Sequence, residues 1–161
     1  MKLEKAIFAC GCFWGAQYQF EHAKGVVRST VGYIGGHKEY PAYEEVKAHT
    51  TGHAEATLVE FDAEQTSFTE LCKLFFEIHD PAQTDGQGPD IGPQYRSEIF
   101  YLNDKQKEEA EAVIALLKEK GYEVNTKLTP ATTFWEGEEY HQHYYDKTGG
   151  EPYCHIRIKK F

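Results

Sequence analysis

Residues 4–25 read EKAIFACGCFWGAQYQFEHAKG, and they change from strand character to helix character at Gly11. The apolar residues of 4–10 predict a first, largely buried strand. Residues 12–24 carry apolar side chains at helical spacing and predict a short helix, which the following glycine ends. The two elements therefore meet at one residue, Cys12.

The rest of the chain continues the alternation of strands and helices. Further strands are predicted, from β-branched content or apolar alternation, over residues 26–33, 54–61, 95–102 and 122–128. Helices are predicted, from capping residues and apolar periodicity, over residues 67–79 and 104–121. Turn-forming residues dominate 35–52 and 80–93, which we interpret as loops.

This order of elements predicts one α+β domain over residues 1–161. Hairpin-like strand pairs that alternate with helices are typical of a two-layer sandwich with a ferredoxin-like split βαβ core. We expect a mixed sheet, helices on one of its faces and an irregular C-terminal segment. A chain of 161 residues with 40% hydrophobic residues can bury a core without the help of a metal ion or a disulfide.

The charge and hydropathy of the chain argue against several classes of partner. The formal net charge of −9 disfavours a nucleic-acid surface, because binding to phosphates normally needs a basic stripe. No stretch approaches the roughly 20 apolar residues of a membrane-spanning helix. The apolar run near the N-terminus is too short for a secretory signal. We therefore expect a soluble, cytoplasmic protein without a membrane partner and, by default, a monomer.

The four cysteines are expected to be thiols, since cytosolic proteins rarely hold structural disulfides. Cys12 stands out because a cysteine between a strand and a helix lies near unpaired backbone N–H groups and the positive end of the helix dipole. Both favour the thiolate, which is the nucleophilic form. Spacing alone leaves open the alternative of a buried cysteine beside two core aromatics, Phe13 and Trp14.

Several short blocks of the sequence combine glycine, aromatic and polar residues in an uncommon way. They are Gly11-Cys12-Phe13-Trp14-Gly15, Val31-Gly32-Tyr33-Ile34-Gly35-Gly36, Pro41-Ala42-Tyr43, Gly52-His53-Ala54-Glu55-Ala56, His79-Asp80-Pro81, Gln94-Tyr95-Arg96-Ser97 and Glu139-Tyr140-His141-Gln142. In content and order they resemble the blocks of the peptide methionine sulfoxide reductases of the A class. The resemblance covers nearly the whole chain, from about Ala6 to Cys154.

The resemblance implies a thiol-dependent oxidoreductase that reduces the S epimer of methionine sulfoxide in proteins to methionine. Free methionine sulfoxide is a second candidate substrate. Cys12 would attack the sulfoxide sulfur as a thiolate and become a sulfenic acid. Phe13 and Trp14 would form an apolar cage for the methyl group of the substrate.

The resemblance also implies which residues handle the sulfoxide oxygen. Glu55 matches the acid of the family, and burial would keep its carboxyl group protonated. Tyr43 and Tyr95 would donate hydrogen bonds to the oxygen, and Asp90 would help to order water and the polar pocket. Without the resemblance, the sequence favours an outward-facing strand residue for Glu55 and a turn residue for Asp90.

A second thiol must then condense with the sulfenic acid to form a disulfide. The segment Pro152-Tyr153-Cys154-His155-Ile156 resembles a C-terminal resolving segment of the family, which makes Cys154 the candidate resolving residue. Cys10 and an external thiol remain alternatives, and thioredoxin is implied as the electron donor. Cys72 lies among apolar residues of a predicted helix, so we interpret it as a core residue.

No cofactor and no metal ion are predicted. Cys10, Cys12, His141 and His143 lack the paired spacing of structural zinc ligands. Three histidines in the quoted blocks are interpreted as structural hydrogen-bonding residues: His53, His79 and His141. Two other functions stay open, namely a thiol–disulfide oxidoreductase that cycles Cys10 and Cys12, and a binding module whose aromatic pocket holds a methyl-bearing side chain.

Overall fold

The computed structural model of the protein describes residues 1–150 and 155–161. Its strands are β1 (Leu3–Cys10), β2 (Val26–Ile34), β3 (Ala54–Asp62), β4 (Gly86–Gln87), β5 (Asp90–Ile91), β6 (Ser97–Tyr101), β7 (Lys127–Pro130) and β8 (Trp135–Glu136). Its helices are α1 (Phe13–Glu21), α2 (Tyr43–Lys47), α3 (Phe68–Glu77), α4 (Asp104–Glu119) and α5 (Tyr144–Thr148), with short 3-10 helices at Pro93–Tyr95 and Glu139–His141. No helix in the described ranges is long and apolar enough to cross a membrane.

Six strands form one sheet in the order β7-β6-β1-β3-β2-β8, and β4 pairs with β5 in a separate ribbon. Neighbouring strands of the sheet are antiparallel except β6 and β7, which are parallel. β3 lies between β1 and β2, so the unit β1-α1-β2 is split by a later strand. The predicted α+β fold with a split βαβ core and a mixed sheet is confirmed.

The helices α1, α3 and α4 cover one face of this sheet. Along β1 the side chains alternate, so that Phe8 and Cys10 point towards the helices and Ile7 points to the opposite face. The ring of Phe8 lies 5.0 Å from that of Phe20 in α1 and 5.3 Å from that of Phe75 in α3. Burying one such side chain contributes roughly 1.5–3 kcal/mol, so this aromatic stack fixes both helices against β1.

The last predicted strand begins later than the sequence indicates. The sequence predicts this strand over residues 122–128, but β7 starts at Lys127. The reason is a tertiary contact: the backbone N–H of Asn125 donates to the carbonyl of Pro81, and its side chain donates to the carbonyl of Ala82. These bonds hold the residues before Lys127 against the loop after α3 instead of against the sheet.

The segments interpreted as loops contain short regular elements. Residues 35–52 include the single-turn helix α2, and residues 80–93 include the ribbon of β4 and β5. The strand expected over 95–102 starts only at Ser97, because a 3-10 helix ends at Tyr95. None of these pieces is long enough to show a periodic pattern, and they depend on tertiary contacts.

Candidate active site

A glycine in the left-handed conformation turns the chain from β1 into α1. Gly11 has a φ of +101°, and a Cβ atom at this position would lie 2.8 Å from the Cβ atom of Gln87. The turn makes the half-buried Cys12 the N-cap residue of α1. The thiol therefore lies at the positive end of the helix dipole, which favours the thiolate.

Glu55 reaches this junction from β3. Its side chain is 2% exposed, and its Oε1 atom accepts a hydrogen bond of 3.2 Å from the backbone N–H of Phe13. Burial raises the pKa of Glu55 to about 8; the hydrogen bond from Phe13 opposes this shift, and the charge of Asp90 adds to it. The carboxyl group is therefore largely protonated at neutral pH. It is bonded to the residue that follows Cys12, and it can act as an acid there.

Two tyrosine hydroxyls lie on the polar side of the site. Tyr43 is the first residue of α2 and Tyr95 is the last residue of a 3-10 helix, and both are half-buried. Burial raises the pKa of Tyr43 to about 12 and also raises the pKa of Tyr95, and the charges of Glu55 and Cys12 act on both in the same direction. Both hydroxyls therefore keep their protons and can donate hydrogen bonds.

The ribbon of β4 and β5 carries Asp90 to the same place. Asp90 pairs with Gln87 across the ribbon, is half-buried, and acts electrostatically on Glu55 and Tyr95. The structure thus brings the polar residues predicted from the sequence into one electrostatically linked group: Cys12, Tyr43, Glu55, Asp90 and Tyr95.

Phe13 and Trp14 form the apolar side of the site. The ring of Phe13 is buried, 5.7 Å from the ring of Tyr33. Trp14 is half-buried and stacks on Tyr144 of α5, with ring centroids 3.8 Å apart and planes inclined by 8°. Its indole N–H also donates to Nδ1 of His141 at 2.9 Å. These contacts hold Trp14 in one orientation and leave an apolar surface suited to a methyl group.

His141 has the structural hydrogen bond predicted for it, to Trp14, and it also borders the site. It is fully buried, with its ring centroid 4.3 Å from Tyr43 and 4.0 Å from Tyr140. Burial lowers the pKa of His141, so the ring is neutral, and acceptance of the Trp14 N–H at Nδ1 places its proton on Nε2. Nε2 is buried without a hydrogen-bond partner among the described residues. Its hydrogen bond would therefore go to a water molecule or a ligand.

The segment around His141 is held by two polar side chains that the sequence did not single out for this role. Glu138 accepts hydrogen bonds from the backbone N–H of Tyr43 at 2.9 Å and from the hydroxyl of Tyr33 at 2.8 Å. Gln142 bonds both the N–H and the carbonyl of Val31 in β2. The partners lie about a hundred positions apart in sequence, so no local pattern could reveal these contacts.

Cys10 and Cys72 lie apart from the solvent-accessible side of the site, since both are buried. Cys10 is 1% exposed and faces the helices, and Cys72 is fully buried in α3, where burial raises the pKa of its thiol. The interpretation of Cys72 as a core residue is confirmed. Cys154 lies outside the described residues. The next residue, His155, is buried, with Nε2 2.7 Å from the carbonyl of Cys10, and its own carbonyl accepts a hydrogen bond from Gln19.

Two other histidines have the structural role predicted for them. His53 bonds backbone groups just after β2 through both ring nitrogens. His79 lies between the carbonyl of Phe75 and the hydroxyl of Ser97, and burial lowers its pKa to about 3. A neutral ring at this position serves packing and hydrogen bonding.

Comparison with known proteins gives the same family by sequence. A family model described as peptide methionine sulfoxide reductase matches residues 4–161. The chain is 44% identical over 156 residues to the peptide methionine sulfoxide reductase MsrA of Acinetobacter baumannii (strain AYE), a match that covers 97% of this chain and 90% of that protein. It is 47% identical over 151 residues to the MsrA of Geobacter sulfurreducens, covering 92% of this chain and 93% of that protein.

Solved structures of similar proteins share the fold. Mxr1 of Saccharomyces cerevisiae in its reduced form superposes with a TM-score of 0.89 at 33% identity, covering 99% of this chain and 93% of that one. Methionine sulfoxide reductase A of Corynebacterium diphtheriae superposes with a TM-score of 0.82 at 31% identity, covering 99% of this chain and 83% of that one.

Proposed function

The chain belongs to the peptide methionine sulfoxide reductase family, and we propose that it reduces the S epimer of methionine sulfoxide in proteins to methionine through the thiol of Cys12. The observation that carries this proposal is the buried Glu55 carboxyl group, with a pKa raised to about 8, bonded to the N–H of the residue that follows Cys12. A thiolate and a protonated acid at one helix N-terminus are what the reduction of a sulfoxide requires.

In the first step the thiolate sulfur of Cys12 attacks the sulfoxide sulfur, and Glu55 supplies a proton to the sulfoxide oxygen. Tyr43 and Tyr95 donate hydrogen bonds to this oxygen while negative charge develops on it, and Asp90 supports the polar side of the pocket. The oxygen passes to Cys12, which becomes a sulfenic acid, and methionine leaves. Cys12 is oxidised by two electrons and the methionine sulfur is reduced by two.

Phe13 and Trp14 select the substrate by holding its methyl group against an apolar surface. Trp14 is well suited to this role because Tyr144 and His141 hold its ring. Only one epimer can place its methyl group there while its oxygen faces the tyrosines. Free methionine sulfoxide, which carries the same side chain, is a second candidate substrate.

In the second step the thiol of Cys154 attacks the sulfenic acid of Cys12, a disulfide forms and water leaves. Thioredoxin then reduces the disulfide by thiol exchange. Support for thioredoxin comes from the family, in which Mxr1 of Saccharomyces cerevisiae has been solved in complex with Trx2. Cys10 is less suited to resolve the sulfenic acid, because its side chain faces the core on the helix side of the sheet.

A single-turnover assay on the fully reduced protein tests the first step. The separate S and R epimers of a blocked methionine sulfoxide are mixed with the protein, and methionine formed and thiols lost are counted. We expect methionine from the S epimer only, none from Cys12→Ser, and normal formation in the control Cys72→Ala. Methionine formation by Cys12→Ser would refute the assignment of the nucleophile, and formation from neither epimer would favour a binding module.

The resolving step is tested with Cys154→Ser and Cys10→Ser. We expect Cys154→Ser to form methionine for about one turnover and then stop when thioredoxin is the only reductant. Cys10→Ser should turn over like the wild type. Repeated thioredoxin-supported turnover by Cys154→Ser would show that another thiol resolves the sulfenic acid, and loss of turnover in Cys10→Ser would favour a thiol–disulfide oxidoreductase.

We also propose that the protein is a monomer, that residues 1–161 form a single domain, and that it acts in the cytoplasm. One sheet carries the apolar clusters on both of its faces, which favours a single folding unit. Sedimentation of the purified protein and fractionation of cells that express it check the oligomeric state and the location.

A further inference from the structure

The mouth of the site has an acidic and aromatic edge, which consists of Glu44, Glu138 and Tyr140 and is called the acidic rim below. Glu44 is exposed in the first turn of α2, directly after Tyr43. Glu138 is bonded to the backbone N–H of Tyr43. Tyr140 is 57% exposed, and its ring packs on His141. The rim therefore borders the side of the site where the tyrosine hydroxyls lie.

The carboxylates of the rim differ from neighbouring acidic side chains in their ion pairing. Among the described residues no salt bridge involves Glu44 or Glu138, while Lys38 pairs with Glu45 and Lys147 pairs with Glu139. The strongest charges acting on Tyr43 and Tyr140 are acidic, and Glu44 acts on both. A cation that approaches this edge therefore meets a negative potential.

A second feature at the same edge points to a ligand. The buried Nε2 of His141 lacks a partner among the described residues, and its ring packs against Tyr43 and Tyr140. An unpaired buried donor is costly unless a ligand or water accepts its hydrogen bond. A peptide that inserts its oxidised methionine beside Cys12 brings backbone carbonyls, and the side chains next to the methionine, to this edge.

We propose that the acidic rim selects protein substrates in which lysine or arginine lies beside the oxidised methionine. The exposed face of the Tyr140 ring offers a cation–π contact, and the carboxylates of Glu44 and Glu138 attract the same cation. This inference rests on the proposed function and adds to it the chemical class of the substrate.

The test compares three blocked peptides that carry the S-sulfoxide between two lysines, two serines or two glutamates. For the wild type at low salt we expect kcat/KM to be about tenfold higher for the lysine peptide than for the glutamate peptide, with the difference mainly in KM. At high salt the ratio should shrink, since screening weakens interactions between exposed charges. Equal values of kcat/KM for the three peptides would overturn the inference.

Variants of the rim residues test whether the rim causes the preference for the lysine peptide. Glu44→Gln should lower the lysine-to-glutamate ratio about threefold, and Glu44→Lys should reverse it. Tyr140→Leu should lower the lysine-to-serine ratio by removing the ring face. The control Glu108→Gln, which removes one exposed charge from α4, should leave both ratios unchanged. An equal effect of Glu108→Gln and Glu44→Gln would overturn the inference, because it would show an effect of net charge only.

The outcome separates the inference from the proposed function. Reduction of all three peptides without a charge preference leaves the function intact and overturns the selectivity. Failure to reduce any of them overturns the function, and the selectivity with it.

Discussion

The carboxyl group of Glu55 stays protonated because of its place in the sheet. β3 has neighbours on both sides, and Glu55 lies opposite Tyr33 in β2. Within the described residues no cation acts strongly on Glu55; the charge that acts on it is that of Asp90, which disfavours ionisation. The acid therefore results from burial of a single residue, and its protonation should be visible in the pH dependence of the reaction.

The rate of methionine formation in a single turnover should fall as the pH rises through about 8, by about tenfold per pH unit above that value. The sign follows from the raised pKa, because the protonated form of Glu55 is the active form and is lost above its pKa. Glu55→Gln should react at least about 100-fold more slowly and lack this decline. The measurement is rapid quenching between pH 6 and pH 10.

Alkylation of Cys12 by iodoacetamide over the same pH range is the control, since it follows the thiolate and not the acid. A rate of methionine formation that keeps rising through pH 9 in parallel with alkylation would contradict the role of Glu55.

Among the elements, the contact between α1 and the C-terminal segment (residues 155–161) determines the shape of the junction between β1 and α1. Gly15 lies in the first turn of α1, and a Cβ atom there would lie 2.3 Å from Nδ1 of His155. The missing side chain lets the buried ring of His155 pack against the helix and reach the carbonyl of Cys10. Gly15 therefore serves close packing, which outweighs its poor helix propensity.

Gly15→Ala should destabilise the protein by about 1–3 kcal/mol, because the new methyl group displaces His155. At an ordinary helical position the same change would stabilise by about 1 kcal/mol. Urea unfolding of Gly15→Ala, His155→Ala and the double variant measures the effect. In the His155→Ala background, Gly15→Ala should leave the free energy of unfolding unchanged or raise it. A higher unfolding midpoint for Gly15→Ala alone would disprove the close contact.

Across the molecule, the C-terminal segment connects the junction between β1 and α1 to the C-terminal end of α3. Glu77 is buried, and it accepts hydrogen bonds from the guanidinium group of Arg157 at 2.8 and 3.0 Å and from the backbone N–H of Lys160 at 2.9 Å. The N–H of Ile158 donates to the Glu77 carbonyl. Since His155 contacts β1 at the other end of this segment, residues 155–161 connect the end of β1 with the C-terminal end of α3.

Glu77→Ala should cost about 1.5–3 kcal/mol in the free energy of unfolding, because it removes the buried carboxylate that accepts hydrogen bonds from Arg157 and from the half-buried N–H of Lys160. Glu70→Ala, on the same helix, is the matched control. Glu70 is exposed and pairs with Lys73 at 3.8 Å, so its loss should cost less than about 0.5 kcal/mol. Urea unfolding of both variants provides the measurement, and equal costs would contradict the bridging role.

Local periodicity and turn residues are enough to predict the strand–helix junction at Cys12, the order of the long elements and the split βαβ fold. The ordered blocks, through their resemblance to the family, also indicated the candidate site residues. Tertiary contacts, in contrast, determine the burial of Glu55, the place of His141 in the site and the start of β7 at Lys127. Each depends on residues far apart in sequence: Phe13 N–H for Glu55, the Trp14 ring for His141 and the Pro81 carbonyl for β7. Such contacts form only when the packed core brings distant segments together, so they leave no periodic pattern in the sequence.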